Sequence, residues 1–340
     1  MKKTALILAV FLAIFQSFSF AQDQGEKTPA ELARQYMMAG DFNNAILVLN
    51  RAIQNAPADI QLKKDLAFIY IQQKNYSKAF ETIKRVTDTP GADEQSYQIL
   101  GMIYKALEDY KEADKMYKTA LKQFPESGVL HADYGEMQWT RRNFRDAIAL
   151  WEKGIQADPN YSGNYYHAAK YYYFTDDKIW SLIYGETFIN LESYTQRTPE
   201  IQNLLLDGYK KLFADANIFK GQNIKNPFID AYLKLMEKHS GVVASGININ
   251  SLIALRTRFI TEWPQLNSEK FPLRLFDYHQ QLLKEGMFEA YNQWIFGSVI
   301  DLTAFQNWTT ANAEAYNKFI RFQRGRIYKI PSGQFYTISN

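Results

Sequence analysis

Side chains that could carry out chemistry are few in this chain and lie far apart. The 340 residues include four histidines and no cysteine, which excludes disulfides, thiolate catalysis and cysteine-ligated zinc. The chain also lacks a glycine-rich phosphate loop, a Gly-x-Ser-x-Gly elbow and a His-Glu-x-x-His helix, the sequences that predict common catalytic or metal-binding sites. We therefore expect no catalytic residue, no metal site and no cofactor.

The histidines do not show the spacing of a ligand set. They are His131, His167, His239 and His279. We interpret the first two as partly exposed residues on helix surfaces. Asp277 and His279 are two residues apart, so on a helix they point to different faces.

The segment from Tyr165 to Tyr184 contains eight aromatic residues in 20. It could form a stacking platform for a peptide or a sugar, or it could pack between neighbouring helices. A helix that is apolar almost all round is usually buried, and we therefore favour packing.

The charge balance argues against a nucleic-acid-binding protein. Lys and Arg number 39 and Asp and Glu number 36, whereas binding to phosphate backbones requires a strongly basic face. We expect no nucleic-acid partner.

The N-terminus has the pattern of a secretory signal. Lys2 and Lys3 precede an apolar stretch from Ala5 to Phe15, and Ser19 and Ala21 supply small residues before a cleavage site. We predict that residues 1–21 are a signal peptide and that no transmembrane segment follows cleavage. The protein is then exported, with the periplasm expected and outer-membrane association or secretion as alternatives.

When the chain is written in rows of 34 residues, similar residue types fall at the same position of successive rows and form columns. One column of small residues holds Ala33, Ala67, Gly101 and Gly135, and a second holds Ala45, Ala79, Ala113 and Ala147. Columns of large residues hold Phe42, Tyr76, Tyr110 and Phe144, and then Leu49, Ile83, Tyr117 and Trp151. Each row closes near a proline, which ends a helix because it lacks an N–H. Small residues allow two helices to approach closely, so each row predicts a helical hairpin.

The period, the order of the columns and the closing proline resemble the tetratricopeptide repeat. The resemblance implies an all-α fold, a right-handed superhelix of helical hairpins, which an all-helical C-terminal domain would follow. The predicted repeats are residues 26–59, 60–93, 94–127 and 128–161, with a divergent fifth repeat at 162–195. Residues 196–340 form the predicted helical C-terminal domain.

Helical patterning continues without the period after residue 198. The predicted helices are Pro199–Ala214, Pro227–Lys238, Ser251–Trp263, Leu273–Lys284, Phe288–Ser298 and Thr303–Arg324. The sequence around Gly286 loosely resembles the turn of a repeat. Residues 327–338, which contain proline and glycine, are expected to lie extended against the body.

The resemblance also implies a concave groove, lined by the first helix of each repeat, that takes a peptide. The corresponding residues are Lys64, Phe68, Ile71, Gln72, Gln98, Met102, Lys105, Asp133, Glu136, Trp139, Tyr166, Lys170 and Tyr173. Trp139 is the strongest candidate, because an exposed tryptophan usually has a partner. Some family members clamp a chaperone carboxylate with Lys and Asn, but here Phe68 replaces the Asn, so we do not expect a clamp.

Three hypotheses follow for function. The first is a non-enzymatic scaffold of the bacterial cell envelope that binds a peptide or protein of unknown identity in this groove. The alternative is a periplasmic or surface protein that binds glycans, which requires coplanar exposed aromatic rings beside a pocket. The third is an enzyme with its site in the C-terminal half, which requires a pocket where carboxylates or histidines converge.

Overall fold

A computed structural model describes residues 27–337, and every regular element within that range is helical. The all-α fold class is therefore confirmed. The predicted signal peptide, residues 1–21, lies outside the described residues. The chain divides after Val86 into two compact units, which are treated separately below. No helix between residues 27 and 337 has the length and apolar character needed to cross a membrane.

The first unit contains two helical hairpins. Its helices are α1 (Pro29–Met38), α2 (Phe42–Asn55), α3 (Ile60–Gln72) and α4 (Tyr76–Thr87). A capping box starts α1: the Glu31 N–H donates to Thr28 Oγ1 at 3.2 Å and the Thr28 N–H donates to Glu31 Oε2 at 2.9 Å, so two N–H groups without helical partners are satisfied. Both columns of small residues are buried in this unit.

The second unit begins with three further hairpins and a seventh helix that packs against them. These helices are α5 (Glu94–Ala106), α6 (Tyr110–Gln123), α7 (Gly128–Thr140), α8 (Phe144–Ala157), α9 (Ser162–Tyr173), α10 (Lys178–Leu191) and α11 (Thr198–Leu212). Residues 179–190 of α10 are all buried. The aromatic segment that spans α9 and α10 is thus mainly a packing element, as we favoured from its composition.

In three successive hairpins, a residue with a left-handed backbone lies in the turn between the two helices, at the same position of each row. Lys74, Glu108 and Arg142 have φ values of 59°, 55° and 64°. In the turn after α5, the Glu108 N–H donates to Lys105 O at 3.1 Å and the Asp109 N–H donates to Tyr104 O at 3.0 Å. These bonds satisfy carbonyls at the helix end that no helical N–H can reach.

We expect Glu108→Gly to stabilise the protein by about 1 kcal/mol, because a left-handed backbone is costly for any residue with a Cβ. Urea unfolding of the variant and the wild type measures the difference. Gly286→Ala is the matched control: φ there is 69° and no atom lies within 4 Å of the added Cβ, so strain alone should destabilise it by a similar amount. Unchanged stability in both variants would contradict the argument.

The C-terminal half of the second unit is an irregular helical assembly. Its helices are α12 (Pro227–Lys238), α13 (Ile249–Leu266), α14 (Arg274–Lys284), α15 (Phe288–Asn292), α16 (Ser298–Ile300), α17 (Leu302–Ala311) and α18 (Ala313–Gly325). A π-helical turn, Gln293–Gly297, joins α15 to α16. The turn at Gly286 repeats the bonds of the hairpin turns, with Gly286 N to Leu283 O at 3.2 Å and Met287 N to Leu282 O at 2.8 Å.

The prediction of a single helix from Thr303 to Arg324 was wrong in one respect. The structure divides it at Asn312, whose φ and ψ are −116° and 34°. The Asn312 side-chain amide donates to Trp308 O at 2.9 Å, so this residue ends α17 by competing for a helix carbonyl.

The C-terminal tail lies along the body of the second unit, as predicted. The Ile330 N–H donates to Asn160 Oδ1 at 2.8 Å, and Asn160 Nδ2 donates back to Ile330 O at 3.1 Å. Further along, Tyr336 stacks on Phe228 with ring centroids 4.7 Å apart. These contacts join the end of the chain to α12 and to the turn between α8 and α9.

Candidate functional site

The predicted groove residues of the first unit lie on α3, but they are not all accessible. Phe68 and Ile71 are half-buried and Gln72 is exposed. Lys64 is only 5% exposed, which corrects the expectation that its column faces solvent. The reason is that α3 is buried around most of its circumference, so only a narrow strip of it faces outward.

In the second unit, the predicted residues of α5 and α7 meet across the two helices. Gln98 Nε2 donates to Asp133 Oδ2 at 3.3 Å. Lys105 Nζ forms an ion pair with Glu136 Oε2 at 2.5 Å. Met102 lies between these two contacts along α5 and is exposed, so an apolar side chain stands on a polar, internally bonded surface.

The same arrangement continues from α9 to α11. Lys170 Nζ pairs with Glu200 Oε1 at 2.7 Å, and the Tyr166 hydroxyl donates to Glu200 Oε2 at 2.5 Å. The Tyr173 hydroxyl donates to Asp207 Oδ2 at 3.4 Å. We call the outward residues of α5, α7, α9 and α11 the first-helix face. Its members are Gln98, Met102, Lys105, Asp133, Glu136, Trp139, Tyr166, Lys170, Tyr173, Glu200, Asp207 and Lys211.

Sequence analysis missed the contribution of α11. Tyr166 and Glu200 are 34 residues apart, as are Tyr173 and Asp207, so α11 occupies the place of a first helix in a sixth row. The small column ends before it, because Asn203 stands where the earlier rows have Ala or Gly. The sixth row is recognised from contact partners that lie one period apart, and these become visible only in the structure.

Trp139 is more enclosed than predicted. It is half-buried, and its ring packs against Phe144, Trp151 and Tyr171 with centroid distances of 4.6, 5.9 and 6.3 Å. Its expected exposure is therefore corrected: neighbouring aromatic rings cover much of the indole, and only part of it can meet a partner.

Burial shifts the pKa values of two groups, one in this face and one next to it. It raises the pKa of Asp133, against the opposing effect of Lys105. Burial also lowers the pKa of His167 to about 4 although Glu136 opposes the shift, so this imidazole is neutral at pH 7. The His167 ring stacks on Trp151 with centroids 5.0 Å apart.

His131 is buried rather than partly exposed, which corrects the interpretation made from its spacing. It is 8% exposed, and its Nδ1 lies 2.9 Å from Ser127 O. Burial lowers the pKa of this ring as well. A neutral imidazole held by a backbone carbonyl inside α7 serves packing.

A buried ionic cluster lies between α10 and the C-terminal helices. Glu186 Oε1 accepts a hydrogen bond from Arg256 Nη2 and another from the Tyr291 hydroxyl at 2.8 Å, and His279 Nε2 lies 2.8 Å away. Burial alone would raise the pKa of Glu186, but Arg256 and His279 hold it at about 2. We call these four residues the Glu186 cluster.

The Glu186 cluster brings together a carboxylate and a histidine, the convergence that the enzyme hypothesis requires. The cavity beside it has a volume of only about 10 Å³, which admits about one water molecule. Within residues 27–337, no group of three or more His, Cys, Asp or Glu is placed to hold a metal ion. The described geometry offers this cluster no room for a substrate.

Two family models described as tetratricopeptide repeat match this chain, one at residues 36–103 and the other at residues 94–127. Among solved structures, a thermophilic tetratricopeptide-repeat protein from Thermus thermophilus is 16% identical. That match covers 60% of this chain and 94% of the other, with a TM-score of 0.29. A comparison with curated proteins gives no match.

Proposed function

We propose that this chain, whose residues 36–127 match tetratricopeptide-repeat models, is a non-enzymatic scaffold of the bacterial cell envelope that holds a peptide or protein on its first-helix face. The repeats indicate a protein-interaction role in general. The observation that supports this particular surface is the pairing of side chains from α5 to α7 and from α9 to α11, which builds one face from four helices.

The chemistry of this face favours a peptide with one or two apolar side chains among charges of both signs. Met102 is exposed and Trp139 is partly accessible, and either can receive an apolar anchor. Lys105 and Lys170 stand beside Glu136 and Glu200, so carboxylates and cations of a partner could exchange with existing ion pairs.

A glycan partner fits this face less well. A sugar ring stacks on an open aromatic face, whereas the aromatic faces here carry cations. Lys170 Nζ and Arg197 Cζ lie 4.7 and 4.8 Å from the Tyr166 centroid, and Lys211 Nζ lies 3.6 Å from the Tyr173 centroid. We therefore propose a peptide rather than an oligosaccharide.

Site-specific cross-linking tests the proposal. A photoreactive residue at Met102 should yield a discrete cross-linked protein in cells, and Lys105→Glu with Lys170→Glu should reduce its yield at least about fivefold, since charges at an interface select the partner. The same photoreactive residue at Leu266, which is 62% exposed, is the control and should give no such product.

Equal products from both positions, or none from Met102, would contradict the binding face. The protein should be recovered from a periplasmic extract with Gln22 as its first residue. Recovery from the cytoplasm with an intact N-terminus would contradict the envelope location and leave the cross-linking result standing.

A further inference from the structure

The first unit contains an open groove that the proposed function does not use. It lies between α2, α3 and α4 and has a volume of about 460 Å³, within the range of ligand-sized sites. Ile53, Leu66 and Tyr70 supply its apolar lining. Leu66 and Tyr70 are buried and Ile53 is half-buried, so the apolar floor of the groove is part of the packed core of the unit.

This groove is on the opposite side of α3 from the predicted peptide groove. Successive residues of an α-helix are rotated by about 100°, which places Lys63, Leu66 and Tyr70 together. The same rotation places Phe68 about 170° and Ile71 about 110° away from the centre of these three residues. A ligand in one groove would leave the other accessible, and variants can address them separately.

The rim of the groove is basic. Lys63, Lys78 and Arg85 line it, against one carboxylate, Glu81. Lys78 and Arg85 are exposed and Lys63 is half-buried. Lys78 Nζ lies 5.7 Å from the Tyr70 ring centroid, and none of the three cations forms a salt bridge with another described residue. The site thus presents a net positive charge over an apolar floor.

We propose that this groove is a second docking site and that it binds an acidic peptide segment of another protein. One apolar side chain of the segment rests on Leu66 and Tyr70, while flanking carboxylates lie near Lys63, Lys78 and Arg85. Charge complementarity supports this occupant, since the cations form no salt bridge within the described residues that a ligand would have to displace. Three cations around one apolar floor suit a short peptide better than a phosphate backbone, which requires an extended basic face.

Fluorescence anisotropy with a defined probe tests the site. The probe is a fluorescein-labelled peptide of alternating Asp and Glu with a central Leu-Phe pair, and the protein is the chain from residue 22 onward. We expect binding that weakens as salt is added and that falls about tenfold in Lys63→Glu with Arg85→Glu, a loss of about 1.4 kcal/mol.

The matched control is Lys111→Glu with Lys122→Glu, which makes the same charge change at two exposed positions of α6. It should bind the probe within about twofold of the wild type, and so should Phe68→Ala, which alters the opposite side of α3. A probe with Gln in place of Asp and Glu should not bind. Equal losses in the two charge variants, or no binding of the acidic probe to the wild type, would overturn the proposal.

Discussion

Arg256→Met should destabilise the protein by about 3–5 kcal/mol, the cost of leaving a buried carboxylate without its charged partner. Arg256 and Glu186 are both almost fully buried. Methionine fills much of the arginine volume, so the loss reports chiefly on charge rather than on an empty cavity. Arg258→Met, at an exposed position of the same helix, is the control and should change the free energy of unfolding by less than about 0.5 kcal/mol.

The pH dependence of that loss separates charge from packing. In the wild type the pKa of Glu186 is lowered to about 2, so its contribution is present above about pH 4.5 and is lost as the pH falls toward 2. Without Arg256, burial should raise the pKa of Glu186. The protonated, uncharged carboxyl is then the form that favours the folded state, and it is present at low pH. Urea unfolding of both proteins should give a difference that shrinks on acidification. A difference that is constant with pH would contradict the ionic explanation.

The repeats could be predicted from sequence because their determinants are local and recur. A hairpin needs small residues where its two helices meet and large residues between rows, and Ala45, Ala79, Ala113 and Ala147 all occupy such positions and are all fully buried. The same residue types recur at the same positions of each row, so four rows in register identify the repeat and its two helices clearly. The same logic predicted the turn at Gly286, although only one such turn occurs between residues 196 and 337.

The Glu186 cluster could not be predicted, because its members are distant in sequence and none belongs to a motif. Glu186 and Tyr291 are 105 residues apart. Glu186 follows Gly185 on the divergent fifth hairpin, where the row pattern gives it no special position. Arg256 cannot be distinguished in the sequence from the other cationic residues on predicted helices. Exposure of Lys64 and Trp139 was misjudged for a related reason. A column gives the direction of a side chain from its own helix, whereas burial depends on neighbours that the column does not contain.

The columns do predict one feature of packing between residues 16 positions apart. Among the four regular rows, those with Ala in the first small column have an aliphatic partner, as Ala67 has Ile83, and those with Gly have an aromatic one. Gly135 is paired with Trp151 in this way, and a Cβ added to Gly135 would lie 2.3 Å from Trp151 Nε1. Trp151 is 2% exposed and donates from Nε1 to Ala132 O at 3.2 Å, so the ring cannot move without losing a buried hydrogen bond.

Gly135→Ala should therefore destabilise the protein by about 2 kcal/mol, measured by urea unfolding. Gly325→Ala, where no atom lies within 4 Å of the added Cβ, should have little effect. Trp151→Leu alone should also be destabilising, because it empties a buried volume. The double variant restores the combination of Ala with an aliphatic partner found in the first two rows, so it should lose at least about 1 kcal/mol less than the sum of the two single changes. Additive losses would show that glycine stands at this position for a reason other than the size of its partner.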